Sequence, residues 1–443
     1  MPGGTLVRTL GLIVAAAFLG TAAGAPPPDR EIRVNAQRIE ARIQGLSAFG
    51  RNPEGGVSRV SFSQADLDGR AYVMGLMREA GLEVSIDFAG NILGRRPGSE
   101  PGVPPILFGS HIDSVPKGGN YDGDVGVIGA IECAQVLDER GVETRHPLEV
   151  IVFSDEEGGL VGSRALIGEL SDAALEVESH SGLTIRDGIR AIGGDPDRLD
   201  EVVRQTGDVA AFLELHIEQG AFLYDDQIDI GIVEGIVGID WWDVVVEGVA
   251  NHAGTTPMDK RADALVAAAK YVLAVNRIAT SEPGRQVATV GKIAAEPGAH
   301  NVIPGRVRTS LEIRDLDATK IERIYGKIRT AVLAIEAETG TRFTFSPLDV
   351  SAIPAPTDQR MRALIARAAR ELNLSYRFMP SGAGHDAQDM AKIAPTGMIF
   401  VPSVDGISHA PNEATTAADM ANGADVLLRT ILAIDRGALE HSQ

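Results

Sequence analysis

Only one cysteine, Cys133, occurs in 443 residues, so no disulfide forms within the chain and a cysteine-based metal site is excluded. Cys133 lies in the apolar helical run VGVIGAIECAQVL and reads as an inert core residue. Basic charge is also scarce: 41 Lys and Arg stand against 61 Asp and Glu, a formal net charge of −20. Phosphate binding needs a basic footprint, so a nucleic-acid partner is excluded and adhesion to anionic lipid is disfavoured. No period of 20–50 residues repeats, and no low-complexity tract appears beyond the first residues. Long apolar runs are missing too, with one exception. Arg8 precedes LGLIVAAAFLG, and the small residues TAAGA follow it ahead of APPPDR. That run is too short to span a bilayer comfortably and reads as a signal peptide over residues 1–25, cut after Gly24 or Ala25. Pro26 disfavours cleavage directly after Ala25. Export to the periplasm or the medium is the expectation, with no membrane association beyond it; a buried N-terminal helix is the alternative.

What is present is ordinary for a globular protein: 44% apolar and 23% charged residues. Single cores stop growing near about 250–300 residues, so two domains are expected. From Arg30 to Ala80 the pattern is mainly helical. Strands and helices then alternate: VSIDFAGNILGRR and PPILFGSHID as strands, DVGVIGAIECAQVLDERG as a helix, PLEVIVFSDEEG and AAFLELHIEQG as strands. In the last of these, Glu214, His216 and Glu218 alternate with Leu213, Leu215 and Ile217. This grammar predicts an α/β fold, a mostly parallel sheet flanked by helices, with ligands at the carboxyl ends of its strands.

From about Gly235 the grammar changes. GIDWWDVVVEGVA, a helix over RADALVAAAKYVLAVNRIA, the paired strands QVATVGKIAAE and RVRTSLEIRDL, a helix over KIERIYGKIRTAVLAIEAETG and the strand RFTFSPL make a β-α-β-β-α-β order. That is a ferredoxin-like α+β unit. The predicted division is a catalytic domain over 26–234 and 351–443, interrupted by a lid or dimerisation domain over 235–350. After SAIPAPTD, QRMRALIARAARELN returns to helix and TGMIFVPSV to strand.

Residues 107–127, LFGSHIDSVPKGGNYDGDVGV, end an apolar strand in Gly-Ser-His with aspartates close behind. His111, Asp122, Glu156, Glu157, His216 and His409 are the candidate metal ligands, because imidazoles and carboxylates suit divalent ions such as Zn, Mn, Co and Ni. Singly, each has an ordinary explanation: a lone histidine at a strand end is mostly structural, and Asp122 in NYDGD suits a turn. Grouped, they are harder to dismiss, since three of only nine histidines fall at strand ends or in Gly/Ser-rich loops beside carboxylates. Asp113 lies on the same side of an extended chain as His111 and can hold its imidazole. Adjacent Glu156 and Glu157 offer one ligand and one free base, which hydrolysis at a metal requires. Five ligands serve two ions if one carboxylate bridges, and Asp122, in a glycine-rich loop, is the natural bridge.

At these residues the chain resembles a known family. GSHIDSVPKGGNYDGDVGV, FSDEEGG, LELHIEQG, NHAGTTPM, NVIPG, LEIRDLD, PSGAGHDAQ and GISHAPNE are similar, in order, to motifs of the amidase, hydantoinase and carbamoylase branch of the dinuclear-metal aminoacylase and carboxypeptidase superfamily. The resemblance runs from about Asn35 to near the C-terminus. It implies that His111 and His216 bind one metal, Glu157 and His409 the other, and that Asp122 bridges. Two divalent ions per subunit are implied, zinc first, with Mn, Co or Ni as alternatives. Glu156 would be general base and then acid, and Asp113 would orient His111. Gln219, His252, Asn301 and Arg314 would hold substrate. His385 matches a family motif, as a substrate contact or as a support of its loop. A histidine at position 216, where peptidase-like relatives usually carry a carboxylate, points to the carbamoylase side.

Chemistry supports these implied roles. Arg314 can pair bidentately with a carboxylate, and His252 can donate to the oxyanion formed on the attacked carbon. His252 lies in the inserted domain, so it must cross a cleft or come from a partner subunit, which fits a homodimer formed through the lid. The implied reaction is hydrolysis of the linear ureido C–N bond of an N-carbamoyl-L-amino acid to amino acid, ammonia and carbon dioxide. Its rivals are an allantoate amidohydrolase, an exported aminoacylase or peptidase, and a binding protein that holds metal and ligand without turnover. His146, His180, His300 and His441 have no supporting partners.

Overall fold

In the computed structural model, residues 32–348 and 352–440 are described, with positions 1, 3 and 4. The signal peptide expected over 1–25 therefore lies outside the described residues, those three positions apart.

Nine strands form the larger sheet. Its four middle strands, Leu148–Phe153, Ile106–His111, Ala211–Ile217 and Thr396–Val401, run parallel. Ile92–Arg96 and Glu83–Ile86 extend one side antiparallel. On the other side Ile230–Ile236 lies antiparallel to Thr396–Val401 and carries Tyr376–Ser381 parallel to itself. All four middle strands are buried along their whole length, as a parallel sheet covered on both faces must be. The alternation of Glu214 and His216 with Leu213, Leu215 and Ile217 therefore does not separate inside from outside. Both faces are interior, and Glu214 is buried against the Ser110 hydroxyl, which donates to it at 2.7 Å.

Helices Ala36–Leu46, Asp124–Glu139 and Ala417–Asp435 pack together over one face, and their apolar side chains join those of the sheet in a single core. Ala417–Asp435 and the strand Tyr376–Ser381 escape a reading of periodicity. In the helix, buried polar residues such as Asp425 and Thr430 interrupt the apolar stripe; in the strand, YRFMPS offers no clean alternation.

Between Gly238 and Pro347 the chain builds a second sheet, antiparallel throughout. The neighbours run Ile293–Glu296, Arg306–Asp315, Gly238–Glu247, Arg342–Pro347, the second, third, first and fourth strands of a β-α-β-β-α-β order. Helices Ala264–Ser281 and Ala318–Thr339 cover it, with a separate core around Val244, Tyr271, Leu311 and Ile328. The single strand read over QVATVGKIAAE is two, Val287–Thr289 and Ile293–Glu296. The break is held by Ser310, whose Oγ accepts from the Gly291 and Lys292 amides.

The helix Asp124–Glu139 approaches the parallel sheet so closely that a Cβ at Gly126 would lie 2.2 Å from the Leu215 carbonyl oxygen. Overpacking of this kind costs about 1–3 kcal/mol. Gly126→Ala should lower unfolding free energy by that amount in urea titrations; an unchanged midpoint would contradict this close approach.

Candidate metal centre

The parallel strands deliver their carboxyl ends to one edge of the sheet, and the candidate ligands gather there. His111 ends its strand beside Phe153, its register partner, and Glu156 and Glu157 follow three and four residues after that phenylalanine. His216 comes from the next strand. His409 arrives on the loop after Thr396–Val401. Asp122 sits on the loop that enters the helix Asp124–Glu139.

That loop needs its glycine. Gly123 has φ of 66°, and a Cβ there would lie 2.5 Å from the His111 ring, so only glycine lets the loop lie over the imidazole. Its amide donates to His216 Nε2 at 3.2 Å. Asp122 is then aimed both ways. Its Oδ1 lies 3.1 Å from His216 Nε2 and 3.5 Å from His111 Nε2. Its Oδ2 lies 3.3 Å from His409 Nε2, which is also 3.3 Å from Glu157 Oε1.

These distances make two groups: His111, Asp122 and His216, and Asp122, Glu157 and His409, each with its ligand atoms within 4.8 Å of one another. Donors about 2.0–2.2 Å from one ion lie roughly 3–3.5 Å apart, close to the spacing of both groups. The imidazoles are prepared for this. His111 Nδ1 lies 3.0 Å from the Asp113 carbonyl and His216 Nδ1 2.9 Å from the Ile217 carbonyl. A carbonyl only accepts, so each Nδ1 carries the hydrogen and each Nε2 turns a lone pair toward Asp122. His111 Nε2, Asp122 Oδ1 and Glu157 Oε1 are buried without a hydrogen-bond partner among the described residues. Lone pairs facing lone pairs in a buried site call for a cation, so the donor set fits divalent metal.

The same carboxylates that would draw a cation here also favour protons on the imidazoles. Burial opposes a charge on His111, yet Glu156, Asp122 and Asp113 raise its pKa well above the ordinary value. Burial likewise opposes charge on His216, and Asp122 raises it. Hydrogen bonds to Asp122 and Glu157 push His409 up to about 10. Burial would raise Asp122, but His216, His111 and His409 hold it well below the usual carboxylate range. Burial pushes Glu156 well above its ordinary value against the pull of His111, whose Nε2 is 3.7 Å away. Burial and the neighbouring Asp113 push Asp155 up to about 7.

Asp113 behaves differently from the sequence expectation. Its backbone carbonyl, not its carboxylate, meets the His111 ring within hydrogen-bond distance; the carboxylate stands 3.7 Å off. The carboxylate accepts instead from the Ser61 hydroxyl and the Glu156 and Glu157 amides. Extended geometry put side chain 113 beside ring 111, but the chain turns after the strand and the amides of the Glu156–Glu157 turn are stronger claimants. Asp113 thus fixes the two glutamates directly.

Asp122, Glu156, Glu157, Gln219, His385 and His409 line a pocket of about 200 Å³. Gln219 Nε2 donates to Asp122 Oδ2 at 2.7 Å, so this side chain holds the carboxylate that the two groups share. His385 packs edge-on to the His216 ring, 4.5 Å between centroids, with Nε2 2.9 Å from Ser381 Oγ. Burial and His216 depress its pKa well below the ordinary value. Arg314 stands beyond this pocket, its Nη1 donating to the Gly382 carbonyl at 2.7 Å. His252 and Asn301 are not brought there. Both are exposed, His252 on the short strand Asn251–His252 and Asn301 in the turn before its partner strand Val302–Ile303, where the Ala253 amide donates to the Asn301 carbonyl. Neither lines the pocket at Asp122. Asp155, Leu160, Gln219 and His409 hold left-handed backbone, φ between 52° and 58°, at a cost of order 1–3 kcal/mol for a residue so strained.

Two supports escaped the sequence reading. Arg59, fully buried, donates to the Ile112 carbonyl and to both oxygens of Asp124, bolting the loop after His111 to the helix start. Glu413 joins the ligand loops. Its Oε1 accepts from the Tyr121 and Asp122 amides at 2.9 and 3.0 Å, its Oε2 from Ser408 Oγ and the His409 amide at 2.9 and 3.2 Å. The only sequence signal for Glu413 is its place at the end of GISHAPNE. In Glu413→Gln an NH₂ would face one pair of donors. Loss of such a support costs about 10–100-fold in metal affinity. Metal content after dialysis, measured by mass spectrometry, should fall accordingly in a variant that keeps its far-UV circular dichroism; full retention of metal would remove Glu413 from this role.

With this geometry, the comparisons with known proteins acquire meaning. A profile of the family described as Peptidase family M20/M25/M40 matches residues 107–433. An N-carbamoyl-L-amino acid amidohydrolase of Geobacillus stearothermophilus is 40% identical over 409 residues, 91% of this chain and 100% of the relative. A ureidoglycolate hydrolase of Arabidopsis thaliana is 39% identical over 90% of this chain and 87% of its own length. The crystal structure of an amidase of the hydantoinase/carbamoylase family from Burkholderia multivorans superposes with a TM-score of 0.84 at 34% identity, covering 91% of this chain and 98% of that one.

Proposed function

The chain belongs to peptidase family M20/M25/M40, in its hydantoinase and carbamoylase branch, and we propose that it hydrolyses the ureido C–N bond of N-carbamoyl-L-amino acids. That it is a hydrolase of carbon–nitrogen bonds follows from the family and its amidohydrolase relatives; the substrate and the steps are our reading. The observation that carries this reading is Asp122, shared by two groups of metal-type donors with the unshared carboxylate of Glu156 beside them.

His111 and His216 would hold one divalent ion, Glu157 and His409 a second, and Asp122 both, zinc being the first expectation. When bound, such ions supply Lewis acidity to the ureido carbonyl and lower the pKa of the attacking water. The chain does the rest. Glu156, raised by burial, takes a proton from water at its carboxylate and returns it to the departing nitrogen. The overall change is R–NH–CO–NH₂ plus water to R–NH₂, carbon dioxide and ammonia. Gln219 and Asp113 hold Asp122 and the glutamate turn in register. Arg314 would take the substrate carboxylate, and His385, kept neutral by burial, would contact the ureido group.

The second unit would act as lid and dimer contact, bringing His252 and Asn301 over the site of a partner copy, where His252 would donate to the oxyanion. Export to the periplasm or the medium completes the reading, on the strength of the leader-like start. Against a binding protein without turnover stands the intact Glu156–Glu157 pair, and against a peptidase stands His216 in place of a carboxylate. Allantoate is the nearest rival substrate.

Ammonia release across N-carbamoyl-L-amino acids, ureidopropionate, allantoate and dipeptides, with each metal loaded in turn, tests the reading; turnover of dipeptides alone would sink it. Glu156→Gln should keep its metal and lose about 10²–10⁴ in kcat, and a modest loss would remove Glu156 as the base. Mixed dimers of Glu156→Gln with His252→Ala should recover activity that neither variant has alone. No recovery after demonstrated subunit exchange would place His252 in its own subunit or outside the chemistry.

A further inference from the structure

The pocket at Asp122 and Glu156 measures about 200 Å³, smaller than the roughly 300–1,000 Å³ of a site that encloses a whole small molecule. A ureido group fits there; the rest of a substrate must extend beyond it. Beside it lies a recess of about 630 Å³. Their linings adjoin in the chain at one flank and lie three residues apart at the other. Gly382 lines the recess while Ala383 and Gly384 line the pocket, and Gln219 lines the pocket while Phe222 lines the recess. Phe222 is fixed there by its amide, which donates to buried Glu218 at 2.9 Å.

Arg314 stands at this junction. Its Nε and Nη2 donate to the two oxygens of Glu312 at 2.8 and 3.2 Å, and its Nη1 to the Gly382 carbonyl. A guanidinium has five N–H groups, so one hydrogen on each Nη remains for a carboxylate. Beyond it the recess is mainly apolar, walled by Val237, Val287, Met379, Pro380 and Phe222. Two further arginines border it, and both are engaged: Arg377 pairs with Asp226, and Arg285 donates to the Phe378 carbonyl.

We propose that this recess selects the amino-acid part of the substrate, taking large apolar side chains such as those of leucine, methionine and phenylalanine while Arg314 holds the α-carboxylate. The proposal rests on the ureido-hydrolase reading above and narrows its substrate class. Each methylene seated in an apolar pocket discriminates by about 10–200-fold, so even partial seating gives a clear order.

The test uses the full metal-loaded enzyme and kcat/KM for the N-carbamoyl derivatives of L-leucine, L-methionine, L-phenylalanine, L-alanine, glycine and L-glutamate. The three large apolar substrates should exceed the glycine derivative by at least about tenfold. Val287 is half exposed on the strand Val287–Thr289, so its replacement spares the core. Val287→Lys should reduce the leucine-to-glycine ratio at least about fivefold, and Val287→Ile should keep it above tenfold. A glycine, alanine or glutamate derivative hydrolysed as well as the leucine derivative would overturn the proposal while leaving the ureido-hydrolase reading intact. So would a leucine-to-glycine ratio unmoved by Val287→Lys. Absence of ammonia from all six with turnover of dipeptides would instead overturn the parent reading, and this proposal with it.

Discussion

Asp122 is a buried carboxylate faced by three imidazoles, with His216 and His111 on one oxygen and His409 on the other. Most of what surrounds it follows from that arrangement. A buried charge is tolerated only when it is paired and hydrogen-bonded, and here the pairing is divided between two groups that share one residue. Glu156, Glu157, Asp113, Asp155 and Glu413 crowd the same strand ends, so the site concentrates negative charge that isolated burial would expel. A bound cation would resolve the conflict for the candidate ligands. Backbone amides resolve it for the rest, since Asp113 and Glu413 take most of their bonds from the loops that carry the ligands.

The loops are thereby tied to one another rather than to the solvent. Asp113 binds the Glu156–Glu157 turn to the end of the His111 strand, and Glu413 binds the Asp122 loop to the His409 loop. Arg59 secures the helix that carries Asp122 from behind. Left-handed backbone at His409 is held by its amide's bond to Glu413, that at Asp155 lies beside the amides Asp113 binds, and that at Gln219 is held by its amide's bond to Ser403 Oγ. The rigid parallel sheet sets the spacing of the strand ends, and the carboxylate ties turn that spacing into ligand distances. The recess around Arg314 is lined from both the larger sheet's side of the chain and the second unit.

Much of this was legible in the sequence. The β/α alternation announced the parallel sheet flanked by helices; that its middle strands are buried on both faces even where they carry Glu149, Ser110 and His111 was shown by the structure. The ligand types were legible because few chains set histidines at strand ends beside carboxylates in glycine-rich loops. Less legible were the elements that packing rather than periodicity holds. Ala417–Asp435 is a helix with buried polar residues, and Tyr376–Ser381 is a strand only because Ile230–Ile236 offers it a partner. Asp113 shows the limit of local geometry, since side-chain direction along an extended strand does not survive the turn that follows.

By itself the sequence determined the donor chemistry: imidazoles and carboxylates with a single cysteine, and two adjacent glutamates at a strand end. It also determined the local conformations that chemistry needs, such as the glycine at position 123 that lets a loop lie over an imidazole. Only the tertiary structure decided which oxygen of Asp122 faces which histidine and that Asp113 serves the glutamate turn. The same is true of Glu413, which spans the two ligand loops from 291 residues away, and of His252 and Asn301, which stand apart from the pocket. The physical reason is that hydrogen bonds and ligand spacings of about 3 Å are fixed by the meeting of strands and loops distant in sequence, which no local pattern records.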